Sequence, residues 1–412
     1  MLISGESSSA PLKPDDMKLT FMLMGVVMFL YFKGISQNLE TEWEKQFTLK
    51  VPHLFADVIQ NGDGGYTVLG AIQMSGSMHY DLWLISFSAS GDTLWSRTYS
   101  NDGCDAPFRL VSMPGGSFLL AAVNGLPGEL QHALVIHAGS DGNEIWRKSS
   151  DRALAVSRTD IAVEPDGNWW WMFTPDAAGG TAQVVLQHMD SQGGLLKEYT
   201  FSDKLDMKGH ALRILPDGSL ALTGQQQVEK GGATLWVMRV SNGGETIWKS
   251  ALPGTGKTVV PECICCSSDN AMLVAGWIGT CMNPDAPPES RIMDYDLIIS
   301  KIDQSGKLLW SQNYDREGSE GGNAIAVMND GNILVAGKCE TSFTGSIGPW
   351  LMIADKSGKL LQDKVDRFRF GGDQASRIIN TADGGFLMVG PGRVDPQQSR
   401  VAGWIKKFKP LV

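Results

Sequence analysis

The sequence predicts an all-β fold made of seven copies of a four-stranded unit, and two independent repeated markers predict it. The first marker is a glycine turn inside "IQNGDGGYTVLG", "VSMPGGSFLLAA", "VEPDGNWWWMF", "ILPDGSLALTG", "SSDNAMLVAG", "VMNDGNILVAG" and "NTADGGFLMVG". In register these place Gly64, Gly115, Gly167, Gly218, Asn270, Gly331 and Gly384 at one position, 51, 52, 51, 52, 61 and 53 residues apart. The second runs through "ETEW", "DTLW", "NEIW", "GLLK", "ETIW", "KLLW" and "KLLQ", at Trp43, Trp95, Trp146, Leu196, Trp248, Trp310 and Leu361. Units of about 50 residues and four strands, repeated radially, describe the blades of a β-propeller.

Each unit reads as four short strands. In the first copy these are "FADVIQ", "GYTVLG", "DLWLISF" and "TLWSRTY", with Gly and Asp in the turns between them. The second and third strands are apolar on both faces, as expected of sheets sandwiched between neighbours. The last copy stops after its third strand, "VAGWIKKFKP", while an orphan fourth strand, "TEWEKQFTL", precedes the first copy. Pairing the two completes a seven-bladed β-propeller in which the N-terminal strand closes the last blade and leaves no open edge.

Composition sets the outer bounds. The chain has 412 residues, is 42% hydrophobic and holds 13 Trp, enough for a sizeable core. Its net charge is −10, and without residues 1–36 it stays −10, because Lys13, Lys18 and Lys33 leave with Glu6, Asp15 and Asp16. An acidic body without a Lys/Arg run argues against nucleic acid and anionic membrane surfaces as partners.

The N-terminus reads as an address. Lys18 precedes a charge-free run from Leu19 to Phe32, and Gly34 and Ser36 place small residues before a cut at Gln37. Met17 is a natural start, so residues 1–36 are expected to be an extension plus a signal peptide, and residues 37–412 the propeller. An inner-membrane anchor formed by residues 19–32 is the alternative. The expected location is exported, periplasmic or secreted.

The stretch from Ala251 to Gly256-Lys257-Thr258 nearly matches a phosphate-binding loop. Such a loop must follow a strand and open a helix. Here it lies between "TIWKSAL" and "VPECICC", two strand patterns, so no nucleotide is expected.

The patterns in "GGDQASRIINTADGGFLMVG" and "YDLIISKIDQSGKLLWSQNYD" resemble secreted bacterial propeller proteins with D-x-A-x-x-I-x-x-T-x-D-G-G-[YF] and D-x-W-L-x-K-x-D-x-x-G-x-x-x-W blades. The resemblance covers about residues 40–412 and implies architecture without a common activity. Its members often carry a C-terminal sorting domain, and the chain's end just after the last strand favours the periplasm. The tails "DQSGKLLW" and "DKSGKL" also look like quinoprotein repeats, and Cys265-Cys266 resembles their vicinal disulfide. The longer repeats, seven in number, and the lack of a recognisable calcium set argue against that cofactor, and none is expected.

Candidate site residues follow from the blade geometry. The loops joining strand four to one and strand two to three share one face, and the long insertion from Ile278 to Asp294 lies there. Polar residues just before each inner strand are expected to ring the channel mouth: His53, Asp105, Arg158, His210, Glu262, Glu320 and Asp373. Such a ring would bind a polar ligand such as a glycan; an envelope protein is the other candidate partner. In an enzyme acting on acidic polysaccharide, His210, Arg158 and Glu262 would converge within hydrogen-bond reach; a binding protein would lack a converging acid–base pair. Trp277, beside the insertion, is a candidate sugar platform, whereas Trp169, Trp170 and Trp171 are expected in the core. Cys263 and Cys281 are the expected disulfide of an exported chain. "C-I-C-C" matches no zinc spacing, so no metal is expected.

Overall fold

The computed structural model describes residues 39–411 apart from 75, 77, 78, 127, 128, 178, 229–231, 253–256, 282–292, 317, 342–345, 366–373 and 396–399. Of residues 156, 157, 281, 293, 341, 346, 394 and 395 the backbone alone is described. The signal segment, most of the insertion and Asp373 therefore lie outside the described residues. Every described element is a strand or a turn, and the compact body spans Glu40–Pro410.

The strands form five four-stranded antiparallel sheets and one of seven strands. In the latter a single strand, Glu144–Val163, serves two repeats. Its first half pairs with His132–Ala138 (Trp146 opposite His137) and its second with Trp169–Pro175 (Ile161 opposite Trp171). The N-terminal strand Thr41–Gln46 pairs with Arg400–Phe408, Trp43 opposite Lys407, and completes the last sheet.

Both sequence markers have a structural cause. The first is a left-handed turn position: φ is +84° at Gly64, +82° at Gly218 and +83° at Gly384. In the fifth repeat Asn270 takes it at +58°, a conformation that Asn tolerates better than other side chains. The second marks the contact between sheets. The outer-strand Trp residues lie on a turn glycine of the following repeat, Trp95 on Gly142, Trp248 on Gly306 and Trp310 on Gly358, where a Cβ would stand 2.5–2.9 Å from the ring. In the third repeat, where the marker is Leu196, Tyr199 takes the place against Gly244. Trp43, on the N-terminal strand, covers Gly91 of the first sheet and so ties the last sheet to the first.

Between the sheets lie apolar layers. Trp169 and Trp171 fill the layer between repeats two and three, and Trp170 fills that between three and four, all fully buried as core. A further layer joins Phe55, Val58 and Val68 of the first repeat to Leu387, Val389 and Ile405 of the last. Burying an indole removes on the order of 200 Å² from water, about 5 kcal/mol at 25 cal/mol per Å². That outweighs the sugar contacts a strand-centre Trp would make if exposed.

Two expectations about cysteine fail on geometry. Cys263 pairs with Ala275 and Cys281 with Met293, both through the strand Met272–Cys281. Six residues of strand separate those positions, about 20 Å, far beyond the roughly 7 Å limit for a disulfide. Cys263, Cys265 and Cys266 all carry free thiols, so the resemblance to a vicinal disulfide also fails. As for the phosphate-loop decoy, Thr258 opens the strand Thr258–Cys266.

Candidate functional site

The first strands of the repeats are not regular. In five of them one residue has no partner on the second strand: Ala56, Phe108, His210, Glu262 and Asn323. A β-bulge re-aims the extra side chain, and all five line one cavity of about 410 Å³. That size lies in the range of small-molecule pockets, about 300–1,000 Å³.

The second-strand glycines of the repeat motif make room for the bulge. A Cβ at Gly224 would stand 1.9 Å from the Lys208 carbonyl oxygen, and one at Gly276 2.0 Å from that of Val260. Only glycine permits this approach of the two strands.

Four polar or aromatic side chains meet at the cavity. Arg158 Nη1 donates to His210 Nδ1 at 2.9 Å, and Arg158 Nη2 donates to Glu262 Oε2. Trp277 Nε1 donates to the other Glu262 oxygen at 3.1 Å, and its ring meets Tyr295 edge-on at 4.7 Å. The Arg158 guanidinium also lies over Phe108, 5.8 Å from its centroid. Burial, reinforced by the Arg158 charge, holds the His210 imidazole well below its usual pKa. A neutral His210 that accepts at Nδ1 carries its proton on Nε2.

Just past the bulges of Ala56 and Phe108, and two residues past Arg158, lies a second charged group. Asp57 accepts from the Leu110 amide of the next repeat at 2.8 Å and lies 3.0 Å from Arg377 Nε. Asp160 accepts from the Leu212 amide of its next repeat at 2.8 Å and from Arg213 at 3.1 Å. Arg109 lies between them, 3.7 Å from Asp57 and 3.5 Å from Asp160. Burial and the neighbouring Arg213 and Arg377 charges push the Arg109 pKa down to about 9.

Of the residues expected at the mouth, Arg158, His210, Glu262 and Trp277 come together there. His53, Asp105 and Glu320 do not. His53 is fully buried, with Nδ1 on the Val51 carbonyl at 2.8 Å and its ring edge-on to Trp83. Asp105 is buried between Asn101 and Asn124. Glu320 is buried against the Arg316 amide and the Cys339 thiol, and burial pushes its carboxyl up to about 7. Each lies three residues before its bulge, and an odd offset puts the side chain on the other face of the strand. Asp57, Arg109, Asp160, Arg213 and Arg377 were missed. Their signal was a charge in the middle of an apolar strand, as in "FADVIQ" and "SRIINT".

No family model matches the chain, and no curated protein matches it. Solved structures do. The structure of puromycin hydrolase superposes with a TM-score of 0.51 at 15% identity over 84% of this chain. This chain spans about half, 52%, of that one. The Pan2 WD40 domain of Neurospora crassa gives 0.51 at 9% identity over 90% of this chain and 96% of its own. Drosophila Plexin A in complex with Semaphorin 1b gives 0.50 at 10% identity over 90% and 88%. The fold is propeller-like. At these identities the likeness extends to the propeller fold alone, and the cavity has to be read from its own residues.

Proposed function

We propose that the chain is an exported seven-bladed β-propeller that binds a glycan in the cavity where the first strands of its repeats meet. Counting the strand Glu144–Val163 once in each repeat it serves, the strands make seven sets of four, which supports the blade number. The N-terminal strand in the last sheet supports closure, and the apolar run from Leu19 to Phe32 supports export. The observation that carries the binding reading is the Arg158–His210–Glu262–Trp277 network. It combines an indole face with fixed polar groups, the pairing that sugar recognition needs.

The same convergence meets the distance requirement of a lyase or hydrolase, the second reading. Its chemistry favours binding. The Nδ1 lone pair of His210, the ring nitrogen that would act as base, is occupied by Arg158. A general base needs a free lone pair within reach of substrate. The test is a glycan array and calorimetry on the whole chain, beside a turnover screen on acidic polysaccharides. Saturable binding that Trp277→Ala weakens at least tenfold, without release of new chain ends, is expected. Turnover abolished by His210→Ala would favour the enzyme, and an envelope protein bound in place of any glycan would replace the ligand.

A further inference from the structure

The cavity is cationic although the chain is acidic. Its lining holds Arg109, Arg158, Arg213, Arg377 and Lys338 against Asp57, Asp160 and Glu262. That is an excess of two positive charges, with His210 neutral, inside a protein of net charge −10. Three guanidiniums share the two aspartates, so the excess is not cancelled within the inner group. The low pKa of Arg109, caused by burial and then by its two like-charged neighbours, is what such crowding produces.

Lys338 is the cation that no carboxylate holds among the described residues. A methyl group built on Gly321 would touch Lys338 Cε and Trp277 Cδ1, each at 3.7 Å, so the lysine and the indole edge border one gap. Around that side the lining residues Asn323, Ser376 and Ala56 are small or neutral. The open volume therefore lies where an acid group would meet Lys338 and a sugar ring would meet Trp277.

Resting on the glycan reading, we infer that the bound unit is an acidic sugar, whose carboxylate or sulfate pairs with Lys338 while its ring lies against Trp277. A charge-assisted contact of this kind is stronger than a neutral one, and a lining with an excess of two positive charges attracts a ligand of opposite charge. Neutral glycans gain only the indole and hydrogen-bond contacts.

The test titrates the whole chain with a uronate oligosaccharide, its methyl ester and a sulfated oligosaccharide of equal length. The acidic forms should bind at least tenfold more tightly than the ester, with an advantage that shrinks in high salt. Lys338→Met should remove that advantage, the acid then binding no more tightly than the ester, and Lys338→Arg should restore it. A preference between uronate and sulfate identifies the acid group. Equal binding of ester and acid, or full acid binding by Lys338→Met at an unchanged Tm, overturns the inference while the glycan reading stands. If no sugar binds, inorganic sulfate decides. A rise in Tm in wild type but not in Lys338→Met keeps the anion site and removes the glycan, whereas no rise in either removes both.

Discussion

The Asp57–Arg109–Asp160 group and the Arg158–His210–Glu262 group both line the one cavity from the first strands of the repeats, yet their charges are engaged differently. Each aspartate of the first group takes an amide of the next repeat as well as an arginine. It thereby bolts sheet to sheet and leaves no oxygen for a ligand. In the second group Arg158 and Glu262 are held by side chains among the described residues, and they keep about a fifth of their surface exposed. The lesson is that in a cavity lined with charge, the partner's identity separates structure from recognition. Charges fixed to backbone hold the fold, and charges fixed to each other at a wet surface are positioned for something else.

The largest effect expected from breaking that comparison is on Asp160. Asp160→Ala strands the Leu212 amide, leaves Arg213 without its carboxylate and leaves Arg109 with Asp57 alone. Removing one partner of a buried pair costs about 3–5 kcal/mol, so denaturant melts should show a loss of that order. Gly276→Ala comes next. Its Cβ would overlap the Val260 carbonyl and force the bulge that aims Glu262 to shift. A loss of about 1–3 kcal/mol or more is expected, together with weaker ligand binding, because Glu262 moves with the bulge. Gly218→Ala offers no such overlap but carries a φ of +82°, so it should destabilise without touching the site.

The smallest effect sharpens the comparison from the other side. Glu320 lies on a cavity strand but outside the cavity, and its carboxyl is pushed up to about 7 from 4.5 by burial. Between those values the folded chain keeps a proton that the unfolded chain releases. Stability from this group is therefore present below pH 4.5 and is lost as pH rises toward 7. Glu320→Gln should flatten that part of the stability-versus-pH curve, read from melts at pH 5 and pH 8, with ligand binding unchanged.

Much of the fold was legible because its two markers are forced by local geometry. A left-handed turn demands Gly or Asn, and an aromatic ring lying on a turn glycine demands both partners, so the turn recurs in every repeat and the ring in most. The cavity was legible only in part. Arg158, His210 and Glu262 were identified, but His53, Asp105 and Glu320 were placed beside them by counting back from the strand. The bulge shifts the count, and no pattern of side-chain polarity reports a single extra residue. Its trace was in the second strand, in Gly70, Gly224, Gly276 and Gly337, whose lack of a Cβ makes sense only against a displaced first strand. Asp57 and Asp160 were hidden for another reason: a charge inside an apolar strand becomes intelligible only when the neighbouring sheet's amide is seen.

The most direct test of the central claim, that the Arg158 group serves recognition and not the fold, is to remove its charges as a pair. Arg158→Met with Glu262→Gln, assayed beside Asp160→Ala, gives both melting temperature and calorimetric affinity for a uronate oligosaccharide. Replacing a pair together is often neutral or stabilising, so the double variant is predicted to melt within about 1 kcal/mol of wild type while losing at least tenfold in affinity. A double variant that melts as early as Asp160→Ala, or that binds the oligosaccharide as wild type does, would contradict the account.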